Sequence, residues 1–255
     1  MSELTGAVLV TGAASGIGRA LAEALAARKT PVVLCDVDGA AARDITAAGR
    51  PAWAVAADVT REDQVGRMVA EARRLAGPLG GLVNCAGIYP NTPFLDLSAA
   101  EWDAVLGVNL RAPFLVTQAV ARAMIADRTG GSIVNISSTS SRLARPGIAH
   151  YGASKAALNQ LTAVTAVELA PHGIRVNAVL PGLVGTERVY EKAAATPEGR
   201  AEHEAKLARI PLARVADPVE VVNVVLFLLS ADAAYCTGGL FTVDGGFTLG
   251  IPSYR

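Results

Sequence analysis

The 255-residue chain has little cysteine, few aromatic residues and a low density of charge. Its cysteines, Cys35, Cys85 and Cys236, are odd in number and widely spaced, with no Cys-x-x-Cys pair. That spacing argues against a disulfide framework and a zinc site, and it fits buried free thiols in a reducing compartment; no metal site is expected. Aromatic residues make up 5% of the chain, so the core is expected to be aliphatic and alanine-rich, with helices lying close on a sheet. Formal net charge is zero and no basic stripe stands out, which argues against an electrostatic nucleic-acid binder. No uninterrupted apolar run approaches the roughly 18 residues of a membrane span. The start, Met1-Ser2-Glu3-Leu4, has no basic region followed by an apolar stretch. A cytoplasmic location, with neither nucleic acid nor membrane as partner, is the expectation.

What the chain does have is alternation. Short β-branched runs, Ala7–Val10, Val32–Cys35, Ala52–Ala56, Gly81–Asn84, Ser132–Ile136, Arg175–Val179 and Leu240–Val243, alternate with longer amphipathic stretches. The latter are Gly16–Ala27, Ala40–Ala47, Glu62–Ala76, Ala99–Ala126, Tyr151–Leu169 and Pro218–Leu229. Strand–helix alternation of this kind predicts an α/β fold, a doubly wound parallel sheet with helices on both faces. Strands that are apolar throughout fit burial on both sides. No linker, charge run or repeat divides the chain, so one domain over residues 1–255 is expected. The rhythm breaks at Pro181–Pro211, rich in proline, glycine and charge, with a helical patch at Arg200–Ala208. An insertion there lies at the carboxyl edge of the sheet, where a substrate lid over about 183–211 would sit.

The first strand runs straight into Thr11-Gly12-Ala13-Ala14-Ser15-Gly16-Ile17-Gly18, and a helix follows. Glycines let backbone approach a pyrophosphate, and the helix N-terminus offers unpaired N–H groups. The second strand ends at Asp36, where a carboxylate would accept from both hydroxyls of an adenosine ribose and repel a 2′-phosphate. Ser15 and Val37 occupy positions where a basic residue would favour NADP. NAD is therefore favoured, while Arg19 and Arg43 keep NADP open. Asp58, followed by Val59, can meet the adenine amine or cap the helix near Thr60. Asn84-Cys85-Ala86-Gly87 offers small residues after the fourth strand, beside the nicotinamide half of the cofactor.

At the other end of the chain's chemistry, Tyr151 and Lys155 are four residues apart and share a helix face. A nearby cation favours phenolate, so the pair can transfer protons near neutral pH. Hydroxyls after the fifth strand, in Ile136-Ser137-Ser138-Thr139-Ser140-Ser141, can donate to a carbonyl oxygen as charge builds on it. Asn109, an amide in an apolar helix, needs partners: a water, a backbone carbonyl or a second helix.

These elements together resemble the short-chain dehydrogenase/reductase family, in its common branch of about this length. The resemblance rests on T-G-x-x-x-G-I-G at Thr11–Gly18, N-C-A-G at Asn84–Gly87, Asn109, I-S-S at Ile136–Ser138, Y-x-x-x-K at Tyr151–Lys155, P-G at Pro181–Gly182 and V-D-G-G at Val243–Gly246. Cys85 departs from the family's usual N-N-A-G. The resemblance implies a catalytic tetrad of Asn109, Ser138, Tyr151 and Lys155. Ser138 rather than Ser137 matches the family's serine, thirteen residues before the tyrosine. Tyr151 would transfer the proton and Ser138 would polarise the substrate oxygen. Lys155 would bind the nicotinamide ribose and lower the tyrosine pKa, and Asn109 would hold a water in a relay. The resemblance adds Pro181, Gly182, Val184 and Thr186 as contacts to the nicotinamide, and a homotetramer or homodimer paired through the long helices. The tail Thr248–Arg255 would pack on a neighbouring subunit.

Pocket-wall candidates are Ile88, Tyr89, Pro90, Ser140, His150, Leu183, Arg188, Tyr190 and Leu207, mixed but leaning apolar. His150 reads as a packing or interface residue. The expected substrate is a neutral aryl or cyclic secondary alcohol or its ketone, then a sugar or polyol. The alternatives are a 3-oxoacyl-carrier-protein reductase using NADPH and a non-enzymatic dinucleotide sensor.

Overall fold

The computed structural model describes residues 6–39, 43–46 and 51–250. The side chains of Arg43, Asp44, Arg188, Lys192 and Ala193 lie outside the described set, as do Tyr254 and Arg255 of the tail. The strands are β1 (Ala7–Thr11), β2 (Val32–Asp36), β3 (Ala52–Ala56), β4 (Leu79–Asn84), β5 (Gly131–Ile136), β6 (Ile174–Pro181) and β7 (Leu240–Val243). They form a parallel sheet in the order β3-β2-β1-β4-β5-β6-β7. Every expected strand is present, with ends within two residues of the sequence reading. The order reverses between β1 and β4, which opens a crevice at their carboxyl ends.

Successive strand residues point to opposite faces, so each strand feeds two cores. Val8 and Val10 pack with Leu21 and Leu25 of α1 (Gly16–Ala27) and with Val222, Val225 and Leu226. Leu9 and Val33 pack on the other face with Met68, Val116 and Met124. The α9 helix (Pro218–Leu229) starts with proline at its first position and a capping box between Asp217 and Glu220. Val221, Val222, Val225, Leu226, Leu228 and Leu229 then bury one broad face of the helix against the sheet.

Three elements differ from the sequence reading. The expected helix Ala99–Ala126 is α4 (Ala99–Leu106) and α5 (Ala112–Asp127), joined by a π turn at Gly107–Arg111. Pro113 has no N–H to return to the carbonyl four residues back, that of Asn109, which loosens the regular ladder at that turn. The segment Ala40–Ala47 is described only at α2 (Arg43–Thr46). The insertion after β6 is more ordered than a loop, with α7 (Glu187–Ala195) and α8 (Pro197–Leu207) separated by the cap Thr196. The continuous stretch Ala99–Asp127 is long and apolar enough, by length and composition alone, to cross a membrane, and half of its most apolar window is buried in the fold.

Candidate active site

One end of the crevice is built from backbone. Gly12 has φ +66°, and a Cβ there would come within 2.6 Å of the Ala86 Cα, so only glycine lets β1 and β4 close on each other. Thr11 ties the same junction: its hydroxyl oxygen accepts from the amides of Cys85 and Ala86 at 3.1 and 3.3 Å. The first turn of α1 has no side-chain cap and no acidic residue, so its N–H groups and positive dipole end face the crevice. A Cβ on Gly18 would strike the Gly12 carbonyl. These features fit a dinucleotide pyrophosphate. Thr186 reaches across from the far side, its methyl 3.3 Å from where a Gly16 Cβ would stand.

Asp36 sits at the carboxyl end of β2, and its carboxylate accepts from the Ala14 amide at 3.1 Å and the Asp38 amide at 3.3 Å. It therefore anchors the glycine-rich loop while remaining at the edge where a ribose would lie. Asp58 accepts from the amide and hydroxyl of Thr60 at 2.9 and 2.7 Å, and these bonds hold its carboxyl below the usual range. That is the turn-capping role; Val59 beside it is buried. The Asn84 side chain is buried and donates to Thr117 at 3.0 Å and to Asn135 at 2.8 Å, so it knits α5, β4 and β5. Asn135 continues the ladder to Thr162 of α6 (Ala149–Leu169) at 2.9 Å. Burial pushes the Cys85 thiol up to about 12. The residue that departs from the family pattern thus packs against the core below the phosphate loop as an inert thiol.

The other end is built from side chains. Ser138 follows β5 and is 8% exposed. Its hydroxyl lies close enough to the Tyr151 phenol to act on its ionisation, and that phenol hangs from the first turn of α6. Lys155, one turn later, is buried and donates to the Ile136 carbonyl at 2.8 Å; its Nζ lies 5.9 Å from the centre of the Tyr151 ring. Burial pulls its ammonium down to about 8. Desolvation raises the Tyr151 phenol above its usual value, opposed by the neighbouring Ser138 hydroxyl and the nearby Arg145 charge. Asn109 is fully buried at the π turn and accepts from the Ile88 amide at 2.9 Å. It donates to the Ile88 carbonyl at 2.8 Å and to Ser154 at 3.3 Å. Its amide is thus committed to pinning the segment after β4, and the water-holding role does not belong to that side chain.

Sequence reasoning missed Asn159. It accepts from Ser137 at 2.7 Å and donates to Ser141 at 2.9 Å, and Ser141 in turn donates to the Ser138 carbonyl at 2.6 Å. The available signal was its spacing, one turn beyond Lys155 on the same face. Among the pocket candidates, Tyr89 stands edge-on to Tyr151 with centroids 6.0 Å apart. Ser140 donates its amide to the Ser138 hydroxyl at 3.1 Å. Leu183 and Val184 pair with Ala216, and Gly182 packs against Asp244, which holds the segment after Pro181 along the crevice rim. Tyr190 pairs loosely with His203 of α8 and is half exposed. The side chain of Arg188 lies outside the described residues. No group of metal-ligating residues occurs among the described residues.

This crevice, with backbone cradle and Ser–Tyr–Lys cluster, has close counterparts. The profile described as enoyl-(acyl carrier protein) reductase matches residues 12–248. The chain belongs to the short-chain dehydrogenase/reductase family. It is 40% identical to a (3R)-3-hydroxyacyl-CoA dehydrogenase of Mus musculus, over 93% of this chain and 94% of that one. It is 39% identical to a 3-oxoacyl-[acyl-carrier-protein] reductase of Synechocystis, over 98% and 100% of the two chains. A short-chain dehydrogenase/reductase structure from Mycobacterium marinum superposes with a TM-score of 0.88 at 35% identity, covering 96% of this chain and 97% of that one. Membership makes the protein an oxidoreductase that works with a nicotinamide dinucleotide.

Proposed function

We propose that the protein is an NAD-dependent oxidoreductase interconverting a secondary alcohol and a ketone, with Tyr151 as the proton-transfer group. The observation that carries this reading is the meeting of Ser138, Tyr151 and Lys155 in the crevice whose other end holds the uncapped α1 N-terminus and Asp36. Asp36 favours NAD because its carboxylate would repel a 2′-phosphate. The bound nicotinamide supplies or accepts the hydride.

The chain's own residues position the substrate and move the proton. The substrate oxygen sits between the Ser138 hydroxyl and the Tyr151 phenol. In ketone reduction, Tyr151 donates its proton as charge builds on that oxygen, while Ser138 donates a second hydrogen bond. The raised tyrosine pKa suits this donor role, because the phenol holds its proton at neutral pH. In alcohol oxidation the proton runs the other way, and phenolate must be favoured by positive charge. Lys155 provides one such charge: with a pKa of about 8 it is mostly protonated at neutral pH. It also reaches toward the nicotinamide ribose. Asn109 keeps Ile88 and the neighbouring Gly87 in place beside Lys155. Gly87, Ala86, Pro181, Gly182, Val184 and Thr186 line the nicotinamide half, and Gly12, Ser15, Gly16, Ile17, Gly18, Asp58 and Val59 the adenosine half. Helices α7 and α8 act as the substrate lid, linked to the crevice by the Arg145–Glu202 ion pair at 3.6 Å.

The substrate is read as a neutral aryl or cyclic alcohol or a polyol, from the mixed and mainly apolar wall around Tyr89 and Leu183. A second reading is a 3-hydroxyacyl thioester, favoured by the 40% identity with the hydroxyacyl-CoA dehydrogenase. The assembly is read as a homotetramer or homodimer. Leu106, Leu110, Phe114 and Leu161 line an apolar depression on α4, α5 and α6, and Phe114 is 44% exposed, so a second copy is the occupant that would cover it. A screen of NAD and NADP against 1-phenylethanol, galactitol and 3-hydroxybutyryl-CoA, followed by nicotinamide absorbance, tests the reading. Turnover with NAD and either free alcohol is expected. Strong preference for NADP removes the Asp36 argument, and activity confined to the thioester establishes the second reading instead.

A further inference from the structure

A closed ring of polar contacts joins three pieces of chain beside Tyr151, and none of its members belongs to the proton-transfer cluster. His150 has no exposed surface and places Nε2 3.2 Å from Oε1 of Glu101, on α4. The same oxygen accepts from the Thr92 hydroxyl at 2.6 Å. The Thr92 amide donates to the Gly147 carbonyl at 2.9 Å, which returns the ring to the turn before α6. The Thr92 hydroxyl, and then His150, hold the Glu101 carboxyl below the usual range, so it is a carboxylate that only accepts. Nε2 of His150 therefore carries the proton, and Nδ1 has no partner. Glu101 is the one polar anchor of this imidazole among the described residues.

What the ring holds matters more than the ring itself. The segment after β4 is pinned at Ile88 by both atoms of the Asn109 amide and at Thr92 by Glu101 and Gly147. Tyr89 lies between those two pins, edge-on to Tyr151 at 61°. The approach at Gly147 is independent support. It has φ +80°, and any Cβ there would overlap the Asn91 side chain, so the two segments are in direct contact. Fixing both ends of so short a segment removes most of its conformational freedom, and with it the freedom of the Tyr89 ring.

We propose that the Thr92–Glu101–His150 chain is a positioning device that fixes the Tyr89 wall against Tyr151 and so sets how substrate is held. The proposal rests on Tyr151 being the proton-transfer group, but its first test does not. Hydrogen exchange by mass spectrometry is measured on wild type, Thr92→Val, Thr92→Ser and Glu101→Gln. Loss of one charge-assisted bond is expected to speed exchange across residues 88–98 about tenfold in Thr92→Val and Glu101→Gln. Exchange in β1 to β6 and NAD binding should stay at wild-type values, and Thr92→Ser should behave as wild type. With whichever of 1-phenylethanol or 3-hydroxybutyryl-CoA is turned over, KM should rise about tenfold with kcat within about threefold. Unchanged exchange in 88–98 overturns the proposal, as does acceleration throughout the fold or a serine variant as damaged as valine. Local acceleration with unchanged KM leaves a structural clasp and overturns the positioning role. If wild type turns over neither of these nor galactitol, the alcohol reading fails while the exchange data still decide the clasp.

Discussion

The two ends of the crevice solve different problems with different materials. The dinucleotide end is made of backbone: Gly12, Gly18, the Thr11-bound amides of Cys85 and Ala86, and the bare N-terminus of α1. The reacting end is made of side chains from β5, the π turn and α6, held by Asn109 on Ile88 and by Asn159 on Ser137 and Ser141. A pyrophosphate is a large, delocalised anion that fixed dipoles can cradle. A proton transfer needs one oxygen, with one pKa, in one place. The first end should therefore tolerate changes of side chain but not an added Cβ. The second should tolerate neither loss nor displacement of a functional group.

The largest effect expected at the side-chain end is Tyr151→Phe. It should lower kcat by about 10²–10⁴-fold while leaving NAD binding near wild type, because it removes the acid/base and none of the cradle; persistent turnover would show that the proton travels elsewhere. Lys155→Met probes the same end through stability. The folded pKa of about 8 lies below the 10.5 of a free lysine. Between those values the unfolded chain binds a proton the folded chain does not, so wild-type stability should rise from about pH 8 to 10.5. Urea titrations across that window should show the rise, on the order of 3 kcal/mol at most, flattened in the methionine variant.

At the backbone end, Gly12→Ala should weaken NAD binding and lower stability by about 1–3 kcal/mol, through left-handed strain and collision with Ala86. Calorimetric titration together with urea unfolding checks both; a neutral alanine would mean that the β1–β4 junction yields easily. The smallest effect is expected from Asp36→Asn, which keeps an acceptor for the Ala14 amide but removes the charge. The ratio of kcat/KM for NAD over NADP should fall about tenfold, since repulsion of a 2′-phosphate is lost and little else changes.

How far each end could be read from the chain follows the same division. The glycine-rich loop is local: its residues are neighbours in sequence, and strand, turn and helix follow from β-branched runs and glycine spacing. Tyr151 and Lys155 are likewise joined by one helical turn. Ser138 and Asn109 were legible through family spacing, since no local rule brings β5 and the π turn to α6. Asn84 shows where such reading stops. Its position after β4 suggested the cofactor, and its side chain also joins the buried Thr117–Asn84–Asn135–Thr162 ladder, because an amide inside a sheet must find partners across strands and helices. The split of Ala99–Ala126 was visible only as Pro113, whose effect depends on whether packing absorbs the missing bond.

By itself the sequence determined the alternation of strands and helices, the apolar strands that demand cover on two faces, and the chemistry available at Tyr151, Lys155 and Asp36. Those depend on short-range periodicity and on the nature of individual groups. The tertiary structure alone decided which polar groups face the crevice and which are spent in the core. It also decided that burial raises the Tyr151 pKa, and that His150, next to Tyr151 in sequence, turns instead to Glu101. Desolvation and hydrogen-bond partnership are set by what lies across space, and no window of neighbouring residues contains that information.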